Sequence, residues 1–301
     1  MSEPQEIVTV WPDFAEDFAC KADRCQHSCC RGWEIDIDEA TAAYYASLDG
    51  PLGEALRANI DVQADGTHAF HLTADEHCPF LRTDGLCRLI REIGEEALCE
   101  VCTMHPRFFI MSGTVELAGF GLACEKAVEL LLSADSLRLR AEGESQSFDF
   151  CALLAFLGKA VPREWLLPPA RLTLAQFSFL LAQMKDTEPI DDVWPQQLTA
   201  LRLDCHKLLP RYAKLLAAQG AEAAEKLVSY ILYRQLDKAE RYGMEALCRY
   251  ARFNVVFIYL LAAETQDLPE AVRRWSEQIE YDEENTARLI RACGRAPSSI
   301  L

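Results

Sequence analysis

The sequence predicts an α+β protein, mainly α, in which a cysteine-rich, metal-binding N-terminal region with short hairpins precedes an all-α domain. Nine of the 13 cysteines fall in the first 124 residues. That region alternates short apolar runs with turn residues, whereas apolar residues recur at helical spacing after residue 147. We therefore expect a cysteine-rich metal-cluster domain over residues 1–132, a polar boundary loop over 133–147 and a helical domain over 148–301.

The first elements follow from helix caps and turn residues. Asp38 is typical of a helix N-cap and predicts a helix over residues 39–48, and Pro51 begins a second, short helix. A strand is expected over residues 69–72. Two hairpins follow, with their turns at the pairs Asp84-Gly85 and Ser112-Gly113.

The later elements are predicted to be helical because their apolar residues recur at i, i+3, i+4 and i+7. Cys124 begins the first of them. The others are predicted over residues 148–159, 174–184 behind Thr173 as N-cap, 195–218, 221–241, 245–264 and 269–291, the last with a break near Tyr281.

Composition limits the function classes. The first residues lack the basic and apolar parts of a secretory signal, so we expect a reducing, cytoplasmic location. The longest strongly apolar run, residues 255–263, is shorter than the roughly 18 residues of a membrane span. A net charge of −17 argues against nucleic-acid binding, which requires a basic face. The sequence therefore predicts neither a membrane nor a nucleic-acid partner.

The cysteines indicate a metal site. In a reducing compartment, dense thiols are metal or redox sites more often than disulfides, and the odd total of 13 fits complete pairing poorly. The segment FACKADRCQHSCCRGW, residues 18–33, contains four thiols, and thiolates select zinc, copper(I) or iron-sulfur clusters. Adjacent Cys29 and Cys30 cannot easily hold one small tetrahedral ion, which favours an iron-sulfur cluster over zinc. Zinc, instead of the cluster or beside it, remains open.

The expected ligands come from hairpin arms and helix starts throughout the cysteine-rich region. They are Cys20, Cys25, Cys29, Cys30, Cys78, Cys87, Cys102 and Cys124, with Cys99 as a further candidate. His27, His77 and His105 each lie within three residues of a cysteine and are alternative ligands or turn residues. Neighbouring cations such as Arg31 and Arg88 are expected to lower thiol pKa values. Cys151, Cys205, Cys248 and Cys293 lie in helical segments and are expected to pack in the core.

Several motifs together resemble the flagellin lysine-N-methylases, within the cysteine-rich zinc- or iron-chelating proteins that carry a CxxCxxCC-like signature. The matching segments are the cysteine segment at 18–33, CPFL at 78–81, GLC at 85–87, GEEALCEVC at 94–102, HPR at 105–107, CEKA at 124–127, YILYR at 230–234 and WSEQIEYD at 275–282. This chain departs from the pattern at Gln278, where arginine is expected, and at Tyr281, where histidine is expected.

The resemblance implies N-methylation of lysines on flagellin, with S-adenosylmethionine as methyl donor and an iron-sulfur cluster, 4Fe-4S, as metal centre. It implies no particular catalytic residue. One hypothesis is that an open iron of the cluster binds the amino and carboxylate groups of the donor. A non-enzymatic metal-binding module, such as a redox relay or metal carrier with a partner-docking helical domain, is the alternative from the residues, and purely structural zinc is a third.

Overall fold

The computed structural model describes residues 7–297, and its contacts group the chain into two compact units. The cysteine-rich unit is Ala19–Arg107, and the helical unit is Met1–Phe18 together with Phe108–Leu301. This grouping differs from the division expected at residues 133–147, because residues 108–132 group with the helices. Helices dominate and strands are few, so the predicted α+β, mainly α class is confirmed.

The regular elements are numbered in chain order. The strands are β1 (Val8–Pro12), β2 (Asp36–Ile37), β3 (Ile60–Val62), β4 (His68–Phe70), β5 (Arg107–Ser112), β6 (Val115–Phe120), β7 (Arg138–Ala141) and β8 (Ser147–Asp149). The helices are α1 (Glu39–Ser47), α2 (Gly50–Ala58), α3 (Arg88–Ile93), α4 (Glu100–Met104), α5 (Glu125–Ser133), α6 (Phe150–Phe156), α7 (Leu174–Lys185), α8 (Val193–Leu203), α9 (Cys205–Gln219), α10 (Ala221–Tyr233), α11 (Ala239–Tyr242), α12 (Met244–Thr265), α13 (Leu268–Trp275) and α14 (Glu283–Arg295).

The cysteine-rich unit combines α1–α4 with an antiparallel sheet of order β2-β4-β3. The cap on α1 is as predicted, since Asp38 Oδ1 accepts a hydrogen bond from the Thr41 amide at 2.9 Å. The hairpin predicted at Asp84-Gly85 is reduced to one bridge between Leu81 and Cys87. It is so short because α3 starts at Arg88 and takes the second arm.

The sheet of the helical unit has the order β5-β6-β1-β7-β8. The hairpin of β5 and β6 confirms the predicted turn, where Gly113 adopts a φ of 65° that other residues rarely take. Strand β1 was not predicted; it pairs in parallel with β6 and antiparallel with β7. Strand β7 and the first residue of β8 lie within residues 133–147, where a boundary loop is expected.

Helix α12 is the core of the helical unit and contacts α9, α10, α13 and α14. It is long and apolar enough to cross a membrane by composition, but 89% of its most apolar window is buried inside the protein. Such burial is typical of a core helix. The apolar run at residues 255–263 belongs to this helix.

Other helices confirm or correct the predictions in detail. Thr173 forms a complete capping box with Gln176 on α7, as its position predicted. The helix expected over residues 195–218 breaks at Asp204, and the one expected over 221–241 ends at Tyr233. The break predicted near Tyr281 is confirmed, and it follows a π-helical turn at Ser276–Glu280.

Candidate metal centre

Cys30 and Cys78 lie on neighbouring backbone segments of the cysteine-rich unit. The Cys78 amide donates to the Cys30 carbonyl at 2.8 Å, and the Gly32 amide donates to the Glu76 carbonyl at 2.8 Å. Arg31 and His77 form an antiparallel bridge between these bonds. Two cysteines that are far apart in sequence are thereby fixed beside each other.

Cys87 and Cys99 occupy N-cap positions. Cys87 precedes α3, whose first amides lie close to the Cys87 side chain, and Cys99 precedes α4. Cys102 is one turn further along α4, and its side chain is hydrogen-bonded to that of Cys99. Asp38 fixes the start of α4, because its Oδ2 accepts a hydrogen bond from the Glu100 amide at 2.9 Å.

Five cysteines share the apolar core of this unit, and we call them the thiol cluster: Cys30, Cys78, Cys87, Cys99 and Cys102. Two of them are buried, Cys78 at 6% exposure and Cys99 at 0%. The other three pack against the same core, which includes Phe70 and Phe80. The fold therefore places five thiols against one apolar core.

The thiols influence one another electrostatically. Burial, together with charge on Cys30, Cys87 and Cys99, raises the pKa of Cys78 to about 12. The hydrogen bond from Cys29 lowers the pKa of Cys30 to about 7. Within the pair on α4, the hydrogen bond lowers the pKa of Cys99 and raises that of Cys102. Cys30 and Cys99 are therefore the members most readily ionised.

The effect expected of neighbouring cations is small. Arg31 lowers the pKa of Cys30, but less than Cys29 and Ser28 do. Arg88 instead pairs with Glu92 at 2.7 Å, and burial raises the pKa of Cys87. Desolvation and hydrogen bonds between thiols outweigh these cations.

The remaining predicted ligands are less enclosed. Cys20 and Cys29 are exposed, and Cys25 is half-buried. The Ala22 amide donates to the sulfur of Cys20 at 3.4 Å. Cys124 lies in the helical unit as the N-cap of α5. Cys99, the least secure candidate from sequence, is instead the most buried of the nine.

The thiol cluster has the donor atoms of a metal site but not their close approach. Among residues 7–297, no group of three or more His, Cys, Asp or Glu side chains is close enough to hold a metal ion. The donor chemistry does fit, because five thiols in an apolar setting are the ligand type of zinc and iron-sulfur sites. The metal site and its ligands therefore stay predictions.

The histidines differ in environment. His27 is exposed, and His77 contributes its backbone to the bridge with Arg31. Burial lowers the pKa of His105 to about 4, so its imidazole is neutral at pH 7. A neutral imidazole is the form that binds metals.

The late cysteines are mostly structural. Cys248 and Cys293 are buried in the core, as predicted, and Cys205 is half-buried. The prediction is wrong for Cys151, which is exposed. It lies on α6, whose buried residues are Phe150, Leu153 and Leu154, so it falls on the outer face.

A second group of polar residues lies in the helical unit and was not identified from sequence. Tyr230 on α10 donates to the Phe120 carbonyl at 2.7 Å and accepts from the Phe120 amide at 2.9 Å. Arg234 Nη1 lies 3.6 Å from Glu280 Oε2. The segments at 230–234 and 275–282 were noted from sequence, but nothing in them indicated that Arg234 and Glu280 lie together.

The departure at Gln278 has a structural role. Its Oε1 accepts from the Ile190 amide at 2.9 Å, and its Nε2 donates to the Glu188 carbonyl. The side chain is 1% exposed. Gln278 therefore holds the loop before α8, whereas Tyr281 lies beside Arg234.

A cavity of about 440 Å³ lies between α7 and α8 of the helical unit. Leu181, Trp194 and Leu198 form part of its apolar lining. No member of the thiol cluster lines this cavity, so it is not the candidate metal site.

Comparison with curated proteins gives the family. The chain is 30% identical over 156 residues to the flagellar biosynthetic protein FliU of Salmonella muenchen, an alignment that covers 50% of this chain and 90% of that protein. The chain belongs to the FliU family. Proteins named lysine-N-methylase from Salmonella choleraesuis strain SC-B67 and Salmonella typhimurium strain LT2 are each 28% identical to it over 134 residues.

The relation of this FliU family member to the two lysine-N-methylases is partial. The alignments cover 43% of this chain and 33% of each methylase. No family model and no solved structure matches the chain. The predicted relation to flagellin methylases is thus supported by homology.

Proposed function

We propose that this protein is an S-adenosylmethionine-dependent protein lysine N-methyltransferase that acts on flagellin and depends on an iron-sulfur cluster. The observation that carries the proposal is the homology to FliU and to two proteins named lysine-N-methylase. The first name supports a flagellar target, and the second supports the reaction.

The thiol cluster supports the metal part of the proposal. Cys30, Cys78, Cys87, Cys99 and Cys102 provide more than the four thiolates that hold a 4Fe-4S cluster. Burial opposes thiolate charge at Cys78 and Cys87, and coordination to a metal would offset this cost. Cys20, Cys25, Cys29 and Cys124 remain proposed as further ligands. A zinc ion in the same thiols is the alternative centre.

The proposed reaction is a direct transfer of one methyl group from sulfur to nitrogen. S-adenosylmethionine supplies a methyl group on a positively charged sulfur. The neutral lysine amine attacks the methyl carbon, so that the new N–C bond forms as the C–S bond breaks and the amine proton leaves to water. The protein must therefore align the amine and favour its uncharged form, which burial does for lysine.

Methyl transfer is the direct test. The full chain would be produced without oxygen and incubated with S-adenosylmethionine and flagellin, and peptide masses would then be measured. We expect added methyl groups on flagellin lysines, with iron, acid-labile sulfide and visible absorption in the enzyme. An intact, iron-loaded protein that leaves flagellin unmodified would contradict the enzyme proposal, and colourless protein with stoichiometric zinc would contradict the cluster.

A non-enzymatic metal-binding module is the second candidate. It is favoured by the cysteine-rich unit, which is compact and has a hydrophobic core of its own. A redox relay or metal carrier would need that unit to bind metal but would need no methyl donor. Calorimetry that detects metal binding but no affinity for S-adenosylmethionine would favour this candidate.

A further inference from the structure

Glu280 and Arg234 form a buried pair of opposite charge at the end of the π-helical turn. The Glu280 side chain is 0% exposed and that of Arg234 is 12% exposed. Glu280 Oε2 accepts hydrogen bonds from the Ser276 hydroxyl and, at 3.4 Å, from the Leu122 amide. One carboxylate oxygen is thus held by its own turn and by the loop that follows β6.

Two buried atoms of the pair lack a hydrogen bond, although the guanidinium itself is ion-paired with Glu280 Oε2 and hydrogen-bonded to Tyr281. Glu280 Oε1 and Arg234 Nη1 are buried, and neither has a hydrogen-bond partner within residues 7–297. An unsatisfied buried charge is costly and calls for an explanation. Here an acceptor and a donor each lack a hydrogen bond, and they belong to oppositely charged groups.

The surroundings hold the guanidinium in place. Arg234 lies over the rings of Phe108 at 4.9 Å and Tyr281 at 5.1 Å. At Gly121 there is no room for a side chain, because a Cβ would stand 2.1 Å from the Tyr281 hydroxyl and 2.8 Å from Arg234 Nη1. The backbone after β6 therefore approaches the pair as closely as glycine allows.

The charges define what could bind Glu280 Oε1 and Arg234 Nη1. A lone anion would be repelled by Glu280, and a lone cation would be repelled by Arg234. A group with an ammonium and a carboxylate on one carbon meets both, since the ammonium donates to Glu280 Oε1 and the carboxylate accepts from Arg234. The π-helical turn at Ser276–Glu280 agrees with a binding role, because such turns are frequent at functional sites.

We infer that Arg234 and Glu280 bind the α-amino carboxylate end of an amino-acid ligand, and that in this protein the ligand is S-adenosylmethionine. The identity of the ligand rests on the proposed function, whereas the preference for a zwitterion rests on the two charges. Tyr281, which Gly121 lets the backbone approach closely, orients the guanidinium through ring contact and a hydrogen bond. This assignment places donor recognition on protein side chains, in contrast to the hypothesis of an open iron.

Calorimetry with two related ligands tests the inference on the full, metal-loaded chain. S-adenosylhomocysteine has the amino-acid end, and methylthioadenosine lacks it. We expect Glu280→Gln to weaken S-adenosylhomocysteine roughly 10- to 100-fold, the effect of losing a charged hydrogen bond, and to leave methylthioadenosine unchanged. Equal effects on both ligands, or none on either, would overturn the inference.

Two further variants guard against misfolding. Arg234→Gln with Glu280→Gln leaves no unpaired charge and should lose the same preference for S-adenosylhomocysteine. Tyr233→Phe is the matched control. Tyr233 lies at the end of α10, next to Arg234, and its hydroxyl donates to the Val10 and Ala118 carbonyls. The substitution removes these hydrogen bonds and leaves both charges in place. Loss of the preference in this control too would overturn the inference.

The failure of this inference is separable from failure of the proposed function. If the wild-type protein transfers methyl groups but Glu280→Gln does not change the ligand preference, the inference about Arg234 and Glu280 is refuted and the methyltransferase proposal is retained. If no methyl transfer is seen but Glu280→Gln abolishes the preference for S-adenosylhomocysteine, the amino-acid binding site is retained and the methyltransferase proposal is refuted.

Discussion

The two units of this protein are stabilised by different means. The helical unit has α12 as its core, where residues such as Phe257 and Leu260 are fully buried. The core of the cysteine-rich unit consists of nine buried residues, and two of them are Cys78 and Cys99. A small apolar core supplies little stability by itself, and small units often need a metal. The comparison predicts that the stability of residues 19–107 depends on metal far more than the stability of the helical unit does.

Metal removal gives the largest expected effect on this comparison. A structural thiolate site contributes on the order of 10 kcal/mol to folding, so chelation should unfold or loosen the cysteine-rich unit. Hydrogen exchange of the full chain would show lost protection at α1–α4 and retained protection at α12. Equal loss in both units, or none in either, would refute the difference between them.

The reverse perturbation is a cavity in the helical unit. Leu260→Ala removes a side chain that is 0% exposed and should cost about 2–5 kcal/mol of unfolding free energy. The exposed Leu174→Ala is the matched control, expected to change stability by less than about 0.5 kcal/mol. Denaturant unfolding followed by hydrogen exchange checks both. Metal content should stay unchanged in the Leu260 variant, and its loss would show that the units are not independent.

Acid should act on the cysteine-rich unit through His105. Burial lowers the pKa of this imidazole from 6.5 to about 4, so between these values the unfolded chain binds a proton that the folded chain does not. The contribution of His105 to stability is complete above pH 6.5 and is lost as pH falls towards 4, by up to about 3 kcal/mol. Unfolding at several pH values should show this slope, and His105→Asn should reduce it. An identical slope in the variant would contradict the assignment.

Local signals predicted some elements well. Asp38 and Thr173 cap the helices that follow them, as their positions indicated, because a cap depends on residues only three apart. The fold class and the turn at Gly113 were also evident from local patterns. The concentration of thiols likewise pointed to the region in which the thiol cluster lies.

Long-range features were not predictable. Strand β1 was missed because its partner β6 lies about a hundred residues later and no turn joins the two. The helix at 195–218 was predicted as one because Asp204 carries no glycine or proline signal for a break. The pairing of Arg234 with Glu280 depends on packing between α10 and the turn after α13, which the sequence does not contain. For the same reason the spacing of cysteines could not rank Cys99 as the most buried.

The smallest expected effect tests how the thiol pair on α4 is positioned. One carboxylate, Asp38, caps two helices, since Oδ1 accepts from the Thr41 amide and Oδ2 from the Glu100 amide. These two amides lower the pKa of Asp38, so its contribution is present above the ordinary aspartate pKa and is lost as pH falls below it. Asp38→Ala should cost about 1–2 kcal/mol, and Asp38→Asn less, because asparagine keeps one acceptor.

Hydrogen exchange separates these two caps. In Asp38→Asn the amide of either Thr41 or Glu100 should lose protection, and in Asp38→Ala both amides should. Metal affinity should fall only when the Glu100 amide is released, because α4 carries Cys102 and begins after Cys99. Asp267→Ala is the counterpart in the helical unit, where Oδ1 accepts from the Glu270 amide at 3.0 Å and caps α13 alone. We expect a similar loss of stability there with no change in metal affinity. If both alanine variants lowered metal affinity alike, the effect would come from global stability and not from the placement of the thiols by Asp38.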